Sequence, residues 1–161
     1  MKKNILLPAL FFIGLSSCVN EPQKKERAPV KKEKVEASEK LLVLPYTAVF
    51  NAETQEMELK HNPVGDPSKL NVRDMIDALN LKYPQIILEE IKKSNDTLYV
   101  KIDEATYLTQ QIGTEGATTY LAEATFALTE PVGIHVVDFS FKEGDHAVPK
   151  PYTRESFKDF N

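Results

Sequence analysis

The stretch "FKEGDHAVP", Phe141 to Pro149, gathers the side chains best suited to chemistry in this chain of 161 residues: Glu143, Asp145 and His146 crowd around Gly144. A carboxylate beside an imidazole can act as an acid/base pair or as two ligands of a metal ion. Both roles need groups that converge. Neighbouring side chains on an extended segment point to opposite sides, so short spacing alone does not bring Asp145 and His146 onto one atom. The other histidines, His61 and His135, are distant in sequence. His61 precedes the Asn62-Pro63 turn and is expected to be exposed. His135 alternates in register with Val137, Phe139 and Phe141, which places it at the edge of a packed face in a structural role.

Other chemistries find less support. There is no Gly-x-Ser-x-Gly elbow, and Cys18, the single cysteine, permits no intramolecular disulfide. A glycosidase-type carboxylate pair depends on a spatial separation that sequence does not encode. The reading is therefore a chain with no catalytic residues, no metal and no cofactor. Glu143, Asp145 and His146, continued by Tyr152 and Arg154, form a candidate interaction lip. The alternative is a small hydrolase or metal-binding protein acting through Asp145 and His146.

The elements that must position these residues begin after a leader. Lys2 and Lys3 precede the apolar run "ILLPALFFIGL", which is too short to span a bilayer, and Ser16 and Ser17 precede Cys18. "LSSC" resembles the bacterial lipobox, in which leucine, two small residues and cysteine direct lipidation of the cysteine and cleavage just before it. The resemblance implies a signal peptide over residues 1–17 and a mature protein anchored to the membrane through acyl chains on Cys18. In the sorting scheme of enteric lipoproteins, Val19 after the cysteine points to the outer rather than the inner membrane.

Residues 18–40 hold the cysteine and a charged tether, "VNEPQKKERAPVKKEKVEASEK", with two prolines, no aromatic residue and no apolar periodicity. It lacks the apolar surface to offset the entropy of ordering. Its 22 residues would reach about 25 Å as a coil and about 75 Å extended. Of the chain's 20 basic and 24 acidic residues, two lysines lie in the leader, and seven basic and five acidic residues in the tether. The 11 basic and 19 acidic residues left give the domain over 41–161 a net charge near −8, which argues against a nucleic-acid partner.

Within the domain, "TAVFN" and "EMELKH" predict a hairpin, and "NPVGDPS" a loop. Val72, Met75, Ile76 and Leu79 recur at i, i+3, i+4 and i+7, which predicts a helix capped by Asn71 and closed by Pro84. "QIILEEIKK" and "DTLYVKID" predict strands joined at Ser94-Asn95-Asp96, with Leu98, Val100 and Ile102 on one face. A second helix is expected from about Thr114 to Thr129, with Ala117, Tyr120, Leu121, Ala124 and Leu128 on its stripe. "GIHVVDFSF" reads as a strand whose first half, Ile134 to Val137, is apolar apart from His135, as expected of a strand covered on both sides, and which leaves the sheet at Gly144, a glycine suited to a turn with positive φ. The order β-β-α-β-β-α-β predicts an α+β domain with one mixed sheet of about five strands and two helices packed on it. Beyond it, Tyr152 and Phe157 either pack back on the domain or form an exposed patch for a partner.

The run from Asp96 to Gly144 is similar to the second half of the GerMN domain of bacterial sporulation and germination lipoproteins. The positions that carry the resemblance are Val100 with Asp103, then Ala127-Leu128-Thr129, then Val136 to Gly144. "DMIDAL" stands where the family has its first-helix segment, and coverage runs from Thr47 to about Gly144. The family's Gly-Pro turn after that helix is replaced here by "LNLKYP". The resemblance implies a non-catalytic envelope module whose partner is another envelope protein or peptidoglycan, and it transfers no catalytic residue.

Overall fold

The computed structural model describes residues 42–160 except Gly65; the leader, Cys18 and the tether lie outside the described residues. The hairpin expected at the start is present as β1 (Tyr46–Asn51) and β2 (Glu56–His61), paired antiparallel from Tyr46↔His61 to Asn51↔Glu56. Asn51 organises its loop: its side-chain oxygen accepts from Glu53 N at 2.9 Å, and its carbonyl accepts from Gln55 N at 2.8 Å.

Helix α1 (Val72–Lys82) starts as its cap predicts, with the Asn71 side chain accepting from Arg73 N at 2.9 Å. Its buried face is Met75, Ile76, Ala78 and Leu79. It ends at Tyr83, one residue before Pro84, whose ring disfavours helical backbone at the residue before it. The next strand, β3 (Glu89–Ser94), starts later than "QIILEEIKK" suggests. Ile86 and Leu88 are 1 % exposed and belong to the core, but the backbone of Leu88 is bound by the side chain of Asn80 instead of a neighbouring strand. β3 turns at Asn95, which takes the left-handed φ of 55° open to asparagine, into β4 (Thr97–Ile102). Leu98, Val100 and Ile102 are buried and Tyr99 and Lys101 face outward, as the alternation requires.

Parallel pairing of β4 with β5 (Val136–Phe141) demands a long crossover. It consists of a wide helical turn at Tyr107–Gln111 and helix α2 (Gly113–Leu128). Gly113 and Gly133, both at φ 80°, flank that helix in a conformation that side chains rarely adopt. A two-residue strand, β6 (Pro151–Tyr152), pairs with β5, and a 3₁₀ segment, Arg154–Phe160, closes the described chain.

The class is α+β, but the single sheet of about five strands is not what forms. The hairpin β1–β2 is a sheet of its own, and the second sheet has four strands in the order β3-β4-β5-β6. The hairpin packs on α2 instead of extending the larger sheet. With the hairpin, α1, β5 and the C-terminal segment all against it, α2 is buried from Thr119 to Leu128 without a break, where the sequence suggests one stripe. β5 is covered on one face only: Val137 and Phe139 are buried, while Val136 and Asp138 are half-buried and Ser140 is exposed.

Candidate functional site

The lip nominated by the sequence is held from below. His146 N donates to Thr109 O at 3.0 Å, and His146 Nδ1 lies 3.1 Å from Thr114 Oγ1 at the start of α2. Gly144 does not supply positive φ, which among the described glycines occurs only at Gly113 and Gly133. Its role is close approach: a Cβ there would stand 2.7 Å from Thr109 Cβ and 2.9 Å from Thr109 O. Glu143 and Asp145 are exposed, and His146 is half-buried. Asp145 and His146 line one end of a depression of about 230 Å³ that reaches Lys150 and Phe157. Among the described residues, no group of three or more His, Cys, Asp or Glu side chains could hold a metal ion.

The other two lip residues serve packing. Tyr152 is 8 % exposed, stacks on Phe157 with ring centroids 5.3 Å apart, and donates its hydroxyl to Val148 O at 2.8 Å. The aromatic tail thus packs back on the domain through Tyr152 and Phe157. Arg154 lies against the rings of Tyr46 and Phe126, at 5.0 and 5.2 Å from their centroids, while the two rings meet edge-on at 5.1 Å. Its guanidinium donates to Thr129 Oγ1 at 2.8 Å, Phe126 O at 3.1 Å and Glu130 Oε2 at 2.5 Å. A cation at the C-terminal carbonyls of α2 is electrostatically favourable, and the planar fork serves several acceptors at once. His61 stacks obliquely on Tyr46 and lies 3.7 Å from Glu130, so the hairpin, the end of α2 and the tail meet here. His135 is exposed rather than at a packed face, because β5 begins one residue after it; it lines an open groove of about 520 Å³ beside Glu130 and Arg154.

A residue not singled out from the sequence forms the deepest polar site. Glu123 on α2 is fully buried. Lys82 Nζ donates to its two oxygens at 2.6 and 2.7 Å, Tyr83 Oη at 2.8 Å, and Ala48 N at 3.1 Å. One carboxylate therefore joins α1, α2 and β1. Burial, followed by the charge of Glu123, raises the pKa of the Tyr83 hydroxyl far above the usual phenol range, and the same two causes raise that of Tyr120. Tyr120 Oη has no hydrogen-bond partner among the described residues, and its ring meets the Tyr83 ring edge-on at 5.1 Å. The signal was present: Glu123 is the only charged residue between Gly116 and Thr129. A lone acid in so apolar a helix must find partners once the helix is covered.

No protein-family model matches the chain, and comparisons with curated proteins and with solved structures return no match.

Proposed function

We propose that this protein is a lipid-anchored component of the bacterial cell envelope, held to the membrane through Cys18, whose α+β domain is a non-catalytic binding or scaffold module resembling GerMN. The observation that carries the domain part of this reading is the use made of its best-placed charges. Glu123 accepts from Lys82, Tyr83 and Ala48, and Arg154 donates to the end of α2 and to Tyr46, so these charges serve to hold the hairpin, helices and tail together. The anchor rests on "LSSC" and the charged, apolar leader before it. A tether reaching about 25 to 75 Å keeps such a domain close to its membrane, where the partner is an envelope protein or peptidoglycan.

Three experiments test this reading. Cys18→Ala releases the protein from the membrane fraction and abolishes acyl labelling; a variant still lipidated would overturn the anchor. Crosslinking in intact cells captures a specific envelope protein or wall fragments, and capture lost when residues 41–161 are deleted, with the leader and tether kept, supports binding by the module. Purified full chain that turned over envelope glycans or peptides would sink the non-catalytic reading.

A further inference from the structure

The strand β3 carries Glu89-Glu90-Ile91-Lys92-Lys93, acidic before the isoleucine and basic after it, and every residue of the strand is exposed. It lies at the edge of the four-stranded sheet. The direction of its backbone groups follows from the register. The two-residue connection at Asn95-Asp96 makes Ser94↔Thr97 a hydrogen-bonded pair, so Lys93, opposite Leu98, aims its N–H and C=O away from β4. Lys92, opposite Tyr99, faces inward. The bulge then inserts Ile91, and Glu90, opposite Val100, faces outward again. Towards the start of the strand the edge is closed: Asn80 Nδ2 donates to Leu88 O at 2.9 Å, and Leu88 N donates to Asn80 Oδ1 at 2.8 Å. Among the described residues this edge is unpaired, and it presents two positions with outward backbone groups and side chains of opposite charge, Glu90 and Lys93, the Lys93 ammonium leaning toward Gly133 in the single chain.

We propose that this edge is a self-association surface, on which β3 pairs antiparallel with β3 of a second copy about a two-fold axis between Ile91 and Lys92. Two sheets of four strands become one of eight. In this register the outward backbone groups of Glu90 meet those of the partner's Lys93, and the two-fold axis repeats the pair. Ile91, half exposed in the single chain, is covered by the aliphatic stem of the partner's Lys92. Charge complementarity selects this occupant. An apolar strand laid on the edge would cover Glu90 and Lys93 without countercharges, the usual way an edge is guarded against indiscriminate pairing. The same segment reversed supplies both. Sliding it by one residue sets outward backbone groups against inward ones, so the register is fixed as well.

Charge reversal tests the pairing. Full chain in a large micellar excess of non-ionic detergent is followed by sedimentation velocity over a wide concentration range, with circular dichroism to verify folding. A monomer–dimer equilibrium is expected, with Kd on the order of tens to hundreds of micromolar for so short an edge. Glu90→Lys and Lys93→Glu each place like charges opposite one another and weaken the dimer at least tenfold. The double variant E90K/K93E restores it, and an equimolar mixture of the two single variants forms a heterodimer tighter than either homodimer. A wild-type chain that stays monomeric throughout would overturn the proposal. So would single variants that dimerise like the wild type, or a double variant no better than the singles.

Discussion

Lys82 Nζ lies 2.6 Å from Glu123 Oε1, yet the two side chains occupy different environments: the carboxylate is fully buried and the lysine is one-third exposed. The charge of Glu123 is thus inside the domain while its counterion remains in touch with water. Breaking such a pair from the lysine side strands a charge, whereas breaking it from the acid side strands donors.

Glu123→Ala leaves Tyr83 Oη and Ala48 N without their acceptor and is expected to cost about 3–5 kcal/mol, the usual range for breaking a buried pair. Lys82→Met leaves the fully buried carboxylate without its countercharge and should cost a similar amount, about 3–5 kcal/mol. Urea unfolding of both single variants and the double variant measures the coupling. A strictly additive pair would show that the lysine contributes nothing through Glu123.

Alkaline pH should destabilise the domain. The folded state holds the hydroxyl protons of Tyr83 and Tyr120 to higher pH than the unfolded chain, whose tyrosines titrate near 10. Above that pH the unfolded state binds fewer protons, so stability, intact below pH 10, falls by up to about 1.4 kcal/mol per pH unit for each such group. Tyr83→Phe removes its share of the slope but loses the Glu123 hydrogen bond, at about 1–3 kcal/mol near neutral pH. Melting curves at pH 8 to 11 with ultraviolet titration check both effects; equal slopes for variant and wild type would refute the assignment to Tyr83.

The tail is expected to be structural. Deleting residues 152–161 strips Val137 and Phe139 of their cover from Tyr152 and Phe157 and takes away Arg154, so the melting temperature should fall by more than 10 °C. Arg154→Lys keeps the charge but loses the planar fork shared among Thr129, Phe126 and Glu130, for a smaller loss of about 1–2 kcal/mol. An unchanged melt after deletion would contradict the packing described.

Gly144→Ala should destabilise by about 1–3 kcal/mol, because its Cβ would overlap Thr109, including the rigid backbone carbonyl. Asp145→Ala and His146→Ala, on the exposed side of the same turn, are expected to stay folded and to leave the metal content of the purified protein unchanged. Stoichiometric metal in the wild type, lost in either variant, would instead favour the metal-binding or hydrolase reading of that turn.

The features that neighbouring residues dictate are local ones. The Asn71 cap, the i, i+3, i+4, i+7 face of α1, the alternation of β4 and the turn at Asn95 are carried by neighbours in the chain, and all are legible there. The candidate lip was legible in part: Glu143, Asp145 and His146 lie at a turn after β5, but Tyr152 is buried, and Arg154, partly exposed, is held at the end of α2 by Phe126 and Thr129. Long-range packing alone sets the first hairpin against α2 instead of in the larger sheet. Strand patterning fixes which face is apolar but not which surface covers it, and that choice made α2 central and Glu123 an internal tie. It also decided why Gly144 is glycine. The reason is a contact with Thr109, 35 positions earlier, that no local pattern encodes.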